Sequence, residues 1–140
     1  MNDGGYPGEP SRVLNPEDVK GMKAVVRAES YVIAKLRKPI HGCFAVIDDG
    51  QEITAVVDRS HFEERDALEF AKDWRAITFD AILPFEVVGF LALVSEALAQ
   101  VGVSVFVVSA YSTDHLLVKE RDLGNAVARL RAIGFDIFMA

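Results

Sequence analysis

The most constraining feature of the sequence is an apolar stripe at helical spacing that leads directly into a valine-rich segment. The stripe lies between Pro84, which ends the preceding apolar stretch, and Gly102, which closes the predicted helix. Residues 103–110 are strongly β-branched, which is typical of a buried strand. The apolar positions of the helix are Val87, Phe90, Leu91, Val94, Leu98 and Val101. This part of the chain is therefore predicted to be a helix followed by a buried strand.

The elements on either side complete a βαββαβ order. A strand is predicted at residues 74–79, and a polar turn at residues 111–114 separates the two strands after the helix. Asp122 caps a last helix that ends at Gly134, and residues 135–139 form the final strand. The apolar stripe of that helix is Leu123, Ala126, Val127, Leu130 and Ile133. The order is that of a ferredoxin-like unit with an antiparallel sheet, so we expect the α+β class.

The first half of the chain is predicted to be a reduced copy of the same unit. An Asp-Gly turn at Asp49 and Gly50 indicates a hairpin, and Ser60 caps a predicted helix over residues 60–72. The segment from Pro39 to Gly42 stands where the first helix would be. Strands are predicted at residues 30–37, 43–47 and 52–57. We therefore expect two ferredoxin-like halves, similar in topology, of which the first has a reduced first helix.

The predicted domain division follows from these elements. Residues 1–21 contain several Gly and Pro residues and little apolar material, so we expect a flexible N-terminal arm. Residues 22–73 form the degenerate half and residues 74–140 the complete unit.

Composition excludes several classes of function. The net charge of −6 argues against a nucleic-acid backbone or an anionic membrane as the main partner, because both need clustered Lys and Arg. No apolar run is long enough to span a bilayer, and the N-terminus lacks the order of a secretory signal, so we expect a cytoplasmic protein. The single cysteine, Cys43, excludes an internal disulfide and a Cys-rich zinc site.

Two segments of the second half resemble the ACT domain family. Residues 88–105 resemble its first helix and second strand, in which Pro-Gly-Leu-Leu begins a helix and Ala-x-x-Gly-Ile-Asn-Ile follows it. Residues 109–118 are similar to the Ser-Thr-Tyr-x-Thr-Asp-Tyr-Ile-Leu-Val segment of small tandem-ACT proteins. That subfamily includes the ACT domains of the eukaryotic cytosolic arginine sensor. The resemblance covers roughly residues 23–138 and is stronger after Arg75.

The resemblance implies a regulatory module that binds an amino acid where two ACT domains pack side by side. The implied ligand-binding residues are Val88, Gly89, Phe90, Ser104, Ser112, Thr113 and Asp114. The sequence departs from the family pattern in that Val88 replaces the Pro before the Gly, Ser104 replaces the Asn, and the first-half loop is shortened. These departures leave the identity of the ligand open.

The chemistry of these residues fits a free amino acid. The helix near Val87 lacks an obvious capping side chain, so its first N–H groups and its dipole are available to a carboxylate, and Gly89 leaves the backbone accessible. Asp114 suits the ammonium group. The alternatives are that Gly89 only allows tight packing, that Asp114 only ties its own turn, and that Glu86 satisfies the helix N–H groups.

No catalytic or metal site is predicted. His41 and Cys43 fall on one face of a strand, but their spacing matches no nucleophile or metal motif, and His115 is expected at the rim of the site or at the surface. We therefore expect a non-enzymatic amino-acid sensor without a cofactor, as a homodimer that acts through a separate effector protein. The alternative is an ACT-fold interaction or structural module with no ligand.

Overall fold

The computed structural model describes residues 14–80 and 89–140, which form one eight-stranded sheet with two α-helices. The elements are β1 (Lys23–Val26), β2 (Tyr31–Leu36), β3 (Ala45–Asp48), β4 (Ile53–Asp58), β5 (Ala67–Phe79), α1 (Phe90–Ala99), β6 (Phe106–Ser109), β7 (Asp114–Lys119), α2 (Leu123–Ala132) and β8 (Asp136–Met139). The predicted α+β class with ferredoxin-like halves is confirmed. No helix in the described ranges is long and apolar enough to cross a membrane.

The 13-residue strand β5 is shared by two strand units. Its first part pairs with β2, and its last part pairs with β1 on the same side and with β7 on the other. The first unit therefore has the order β3-β4-β2-β5, and the second has the order β8-β1-β5-β7-β6. Each has the strand order of a ferredoxin-like unit, except that β1 is inserted between β5 and β8 in the second unit.

The predicted boundary between residues 73 and 74 lies inside β5, at a β-bulge. Tyr31 of β2 is opposite Trp74, whereas Ile33 is opposite Ala71, so β5 contains one extra residue here. Asp73, at this bulge, has a positive φ of 65°, which is uncommon for a residue with a side chain. The two units are thus joined by a bent, continuous strand.

The main core lies between the sheet of the second unit and its two helices. Phe79 of β5 packs edge-on against Phe90 of α1 and tilts against Phe135 before β8, with ring centroids 5.2 Å apart in both pairs. The fully buried residues that surround them include Val19, Val26, Ile77, Val94, Leu98, Leu116 and Leu130. Burial of each large side chain of this kind contributes about 1.5–3 kcal/mol. These contacts fix where α1 begins relative to β5.

The predicted helix over residues 60–72 is wrong. Two short 3-10 turns, Arg59–His61 and Glu64–Asp66, are followed by the first part of β5. Because β2 pairs with this segment from Ala67 onward, the non-local pairing overrides its helical pattern. The described part of the first unit therefore packs without an α-helix.

The prediction of a flexible arm is wrong for residues 14–21. Asn15 forms a capping box with Asp18 at a 3-10 turn, Pro16–Val19. Leu14 and Val19 are buried in the main core, and Gly21 donates a backbone hydrogen bond to Gly134. The strand β1, which was not predicted, follows directly. Residues 1–13 lie outside the described residues.

Candidate functional site

One end of the second unit brings together the start of α1 and the start of β7. Thr78, near the end of β5, is opposite His115, so Asp114 and Thr113 lie beside the point where β5 ends. The contact between Phe79 and Phe90 places the first turn of α1 at the same end. The predicted residues Gly89, Thr113 and Asp114 therefore share this end, and we call it the α1 end.

The start of α1 has the backbone geometry of an open helix N-terminus. Gly89 is the N-cap residue with a φ of +95°, a conformation that strains any residue with a Cβ. No side chain of the described residues caps the helix, so none of them uses the donor capacity of its first N–H groups, and Glu86 lies outside the described residues. Phe90 is 5% exposed and belongs to the core, so only its backbone N–H is available here. Val88 lies outside the described residues.

The polar turn before β7 is held by a backbone hydrogen bond rather than by the carboxylate of Asp114. Ala110 donates its N–H to the carbonyl of Thr113 at 2.8 Å, which closes the turn between β6 and β7. Ser112 is exposed, and Asp114 is partly buried at the start of the strand. The carboxylate of Asp114 accepts no hydrogen bond from the described part of the chain, so it is open to a ligand.

Ser104 does not join this group within one chain. It precedes β6, whose first residue, Phe106, is opposite Leu117 in the later part of β7. Ser104 is therefore exposed at the opposite end of the second unit, where β7 finishes.

A chain of polar side chains runs from the α1 end across the helix-free face of the sheet. Arg27 donates its Nε–H to the hydroxyl of Thr78 at 2.9 Å, which leaves the hydroxyl proton for Nδ1 of His115, also 2.9 Å away. Nε2 of His115 lies 3.3 Å from the hydroxyl of Thr113. These contacts are satisfied together by a neutral His115 with its proton on Nε2. We call these four residues the Arg27–Thr113 relay.

The first unit covers the middle of this relay. Phe44 packs edge-on against the ring of His115 with centroids 5.0 Å apart, and the guanidinium carbon of Arg27 lies 4.9 Å from the centre of the Phe44 ring. His115 is only 8% exposed, so its predicted place at the rim or surface is wrong. Burial first, and then the charge of Arg27, lowers the pKa of His115, against an opposing effect of Asp114.

Sequence reasoning missed this relay almost entirely. The alternation of Thr113 and His115 along a strand was the one available signal, since it places both on one face. Arg27 and Phe44 come from loops whose position depends on how the two units pack, which no local pattern encodes.

The described residues do not form a metal centre or an activated thiol. No group of three or more His, Cys, Asp or Glu side chains in these ranges is placed to hold a metal ion. Burial raises the pKa of the Cys43 thiol, which disfavours the reactive thiolate, and its sulfur lies 3.8 Å from the carbonyl oxygen of Ile40.

Comparison with known proteins is consistent with this architecture. Residues 69–132 match a family model described as ACT domain. Comparison with curated protein sequences gives no match. A crystal structure of a protein from Agobacterium tumefaciens is 24% identical, with a TM-score of 0.75, and covers 86% of this chain and 94% of its own. A protein of unknown function from Vibrio cholerae is 20% identical, with a TM-score of 0.68, and covers 82% and 91%.

The fold is also similar to that of a regulatory protein. The regulatory subunit of aspartate kinase from Thermus thermophilus, in its ligand-free form, is 9% identical, with a TM-score of 0.61. The match covers 79% of this chain and 95% of the subunit. The chain therefore has the ferredoxin-like fold of ACT domains, and residues 69–132 match that family's model.

Proposed function

We propose that this protein is a non-enzymatic, cytoplasmic sensor that binds a free amino acid or a close analogue at the α1 end. The observation that carries the proposal is that the N-terminus of α1 at Gly89, which no side chain of the described residues caps, lies on the same end of the sheet as the carboxylate of Asp114. The sensor would signal through a separate effector protein.

The geometry suits the two charges that every free amino acid carries. The N–H groups and the positive dipole end of α1 suit the carboxylate of the ligand, and Gly89 permits a close approach. Asp114 suits the ammonium group, with the hydroxyls of Ser112 and Thr113 as further polar contacts. Within a homodimer, the two poles of one ligand would come from neighbouring copies, which is also where Ser104 of a second copy could contribute.

The comparisons support a regulatory role of this kind. The family model matched by residues 69–132 covers both β7 and α1, the two elements of the proposed site. The similar Thermus thermophilus protein is a regulatory subunit. The resemblance to the arginine-sensor branch stays a prediction, and it makes L-arginine one of the first ligands to test.

A thermal-shift screen over the common L-amino acids tests the proposal. A ligand that binds only the folded state adds about 2.7 kcal/mol of stability at a hundredfold excess over its dissociation constant. The matched pair of variants is Gly89→Ala, at the α1 end, and Gly50→Ala, a glycine of similarly positive φ in the turn between β3 and β4. The shift should be lost in the first and kept in the second, and no shift with any amino acid would contradict the proposal.

The alternative is an interaction module without a ligand. It is favoured by apolar side chains on the outer strands, since Val46 and Ile47 of β3 and Phe138 and Met139 of β8 are each about half exposed. This alternative predicts no response to any amino acid, together with a partner protein that covers one of these strands.

A further inference from the structure

A second cleft lies on the helix-free side of the sheet, where the chain passes from β1 to β2. Its volume is about 290 Å³, which is large enough for a small organic ligand. It is lined by Val25, Arg27, Ala28, Glu29, Thr78 and Ala140. The lining is mainly apolar, and its charged and hydroxyl side chains are those of Arg27, Glu29 and Thr78.

The cation of this cleft has no counter-ion in the described part of the chain. The ion pairs found there involve other basic residues, and no carboxylate of residues 14–80 or 89–140 lies within 4 Å of the Arg27 guanidinium. Arg27 is partly buried, packs over the Phe44 ring and uses its Nε–H on Thr78. The buried part of this charge is desolvated, and an anion bound to it would offset that cost.

We infer that this cleft is a second ligand site, separate from the α1 end, in which Arg27 binds the carboxylate of a small organic acid. The guanidinium is held in place by the Thr78 hydroxyl, by its hydrogen bond with the Tyr31 side chain and by the Phe44 ring, so the N–H groups that these contacts leave are oriented before a ligand arrives. Glu29 at the same cleft favours a carboxylate that also carries a cationic group, and it disfavours a dianion.

The Arg27–Thr113 relay links this second site to the α1 end. An anion on Arg27 offsets the positive charge that acts on His115, and His115 in turn contacts Thr113 next to Asp114. Occupancy of the cleft would therefore change the electrostatics of the proposed amino-acid site, and each site would affect the affinity of the other.

Histidine titration by NMR on the full chain tests the inference, with sodium acetate and glycine as probes and sodium chloride as the ionic-strength control. Acetate should raise the pKa of His115 by about half a unit, because it screens Arg27. His41 and His61 are exposed and serve as internal controls.

Arg27→Gln should weaken acetate binding about ten- to a hundredfold, whereas Arg37→Gln, an exposed charge elsewhere, should leave it unchanged. Glu29→Gln should strengthen acetate and reduce the preference for glycine.

The outcomes separate this inference from the proposed function. A His115 response that is absent in the wild type, or that persists in Arg27→Gln, overturns the second site. If Arg27→Gln does not fold, the Nε–H resonance of Arg27 in the wild type replaces it: no shift with acetate overturns the inference. Asp114→Ala should weaken amino-acid binding at the α1 end about several-fold to a hundredfold and keep the acetate response, so either site can fail without the other.

Discussion

Asp114 is the residue on which the proposed amino-acid site depends most. Its carboxylate is partly buried at the start of β7, and the turn before it is closed by a backbone bond between Ala110 and Thr113. Asp114→Ala should therefore cost about 1–3 kcal/mol in ligand binding, the value of a lost charge-assisted hydrogen bond, and leave the fold intact. Calorimetric titration and thermal unfolding of the same variant measure both quantities. Asp136→Ala, an exposed carboxylate on β8, is the control. Unchanged affinity with a lower melting temperature would show that Asp114 only supports its turn.

His115 should make the stability of the protein depend on pH in a defined window. Burial holds the pKa of His115 below its ordinary value of 6.5, so the unfolded chain binds more protons than the folded chain in this range. The stability that the neutral ring contributes is present above about pH 6.5 and is lost as the pH falls toward the folded pKa. The melting temperature should therefore fall between about pH 7 and pH 5.

A pair of variants isolates this effect. His115→Gln should remove most of the slope, whereas His61→Gln, at an exposed position, should keep it. Backbone hydrogen bonds to Asp49, and hydrogen bonds from Ser60 to Asp58, lower the pKa of each carboxyl below 3.8. These two groups therefore titrate at more acidic pH and do not contribute to the slope of the melting temperature in this window. An equal slope in both variants would show that His115 is not the responsible group.

At the scale of elements, local periodicity predicted the helices and strands that are determined by local contacts. The stripes of α1 and α2 and the β-branched run before the turn at residues 111–114 were sufficient, because each element buries one face on the sheet. The region of residues 60–72 has apolar residues that fit a helix equally well. From Ala67 onward its strand conformation depends on pairing with β2, more than thirty residues earlier, and a single-sequence pattern contains no record of that partner.

The strand β1 and the segment before it form an element that supports the second unit. β1 bridges β5 and β8, and Leu14 and Val19 pack in the main core under the same strands. A chain that starts at Met22 should therefore be less stable than one that starts at Leu14 by about 3 kcal/mol or more. For a chain of this length, the melting temperature should fall by roughly 10 °C.

The comparison of these two chains isolates residues 14–21, because both lack residues 1–13. Val19→Ala in the complete chain should give part of the same loss, about 1–3 kcal/mol, through the cavity that it leaves in the core. Exposed Glu17→Ala is the matched control in the same turn and should change stability little. Equal melting temperatures for the two shortened chains would contradict the packing described for this segment.

At the scale of the molecule, the sequence could indicate the α1 end but not the Arg27–Thr113 relay. Gly89 and Asp114 belong to the second unit, whose order of helices and strands the sequence predicted. The relay draws Arg27, Thr78 and His115 from three strands or loops, and Phe44 of the first unit closes over them. Such a site exists only after the two units have packed on the shared strand β5, so no spacing in the sequence predicts it.

The same sheet leaves the outer edge of β8 exposed, and we predict that two copies of the chain pair there. Among residues 14–80 and 89–140, β8 bonds only to β1, and Phe138 and Met139 are 51% and 59% exposed, whereas Phe135 and Ile137 are buried in the main core. An apolar, unpaired edge is stabilised by pairing with a second copy about a two-fold axis. Light scattering should therefore give twice the mass of the chain, and Phe138→Lys should give a monomer with unchanged circular dichroism. Val46→Lys, at the equally exposed edge strand β3, should remain dimeric. A dimer that survives Phe138→Lys but dissociates in Val46→Lys would place the contact on the first unit, and a monomeric wild type would remove it altogether.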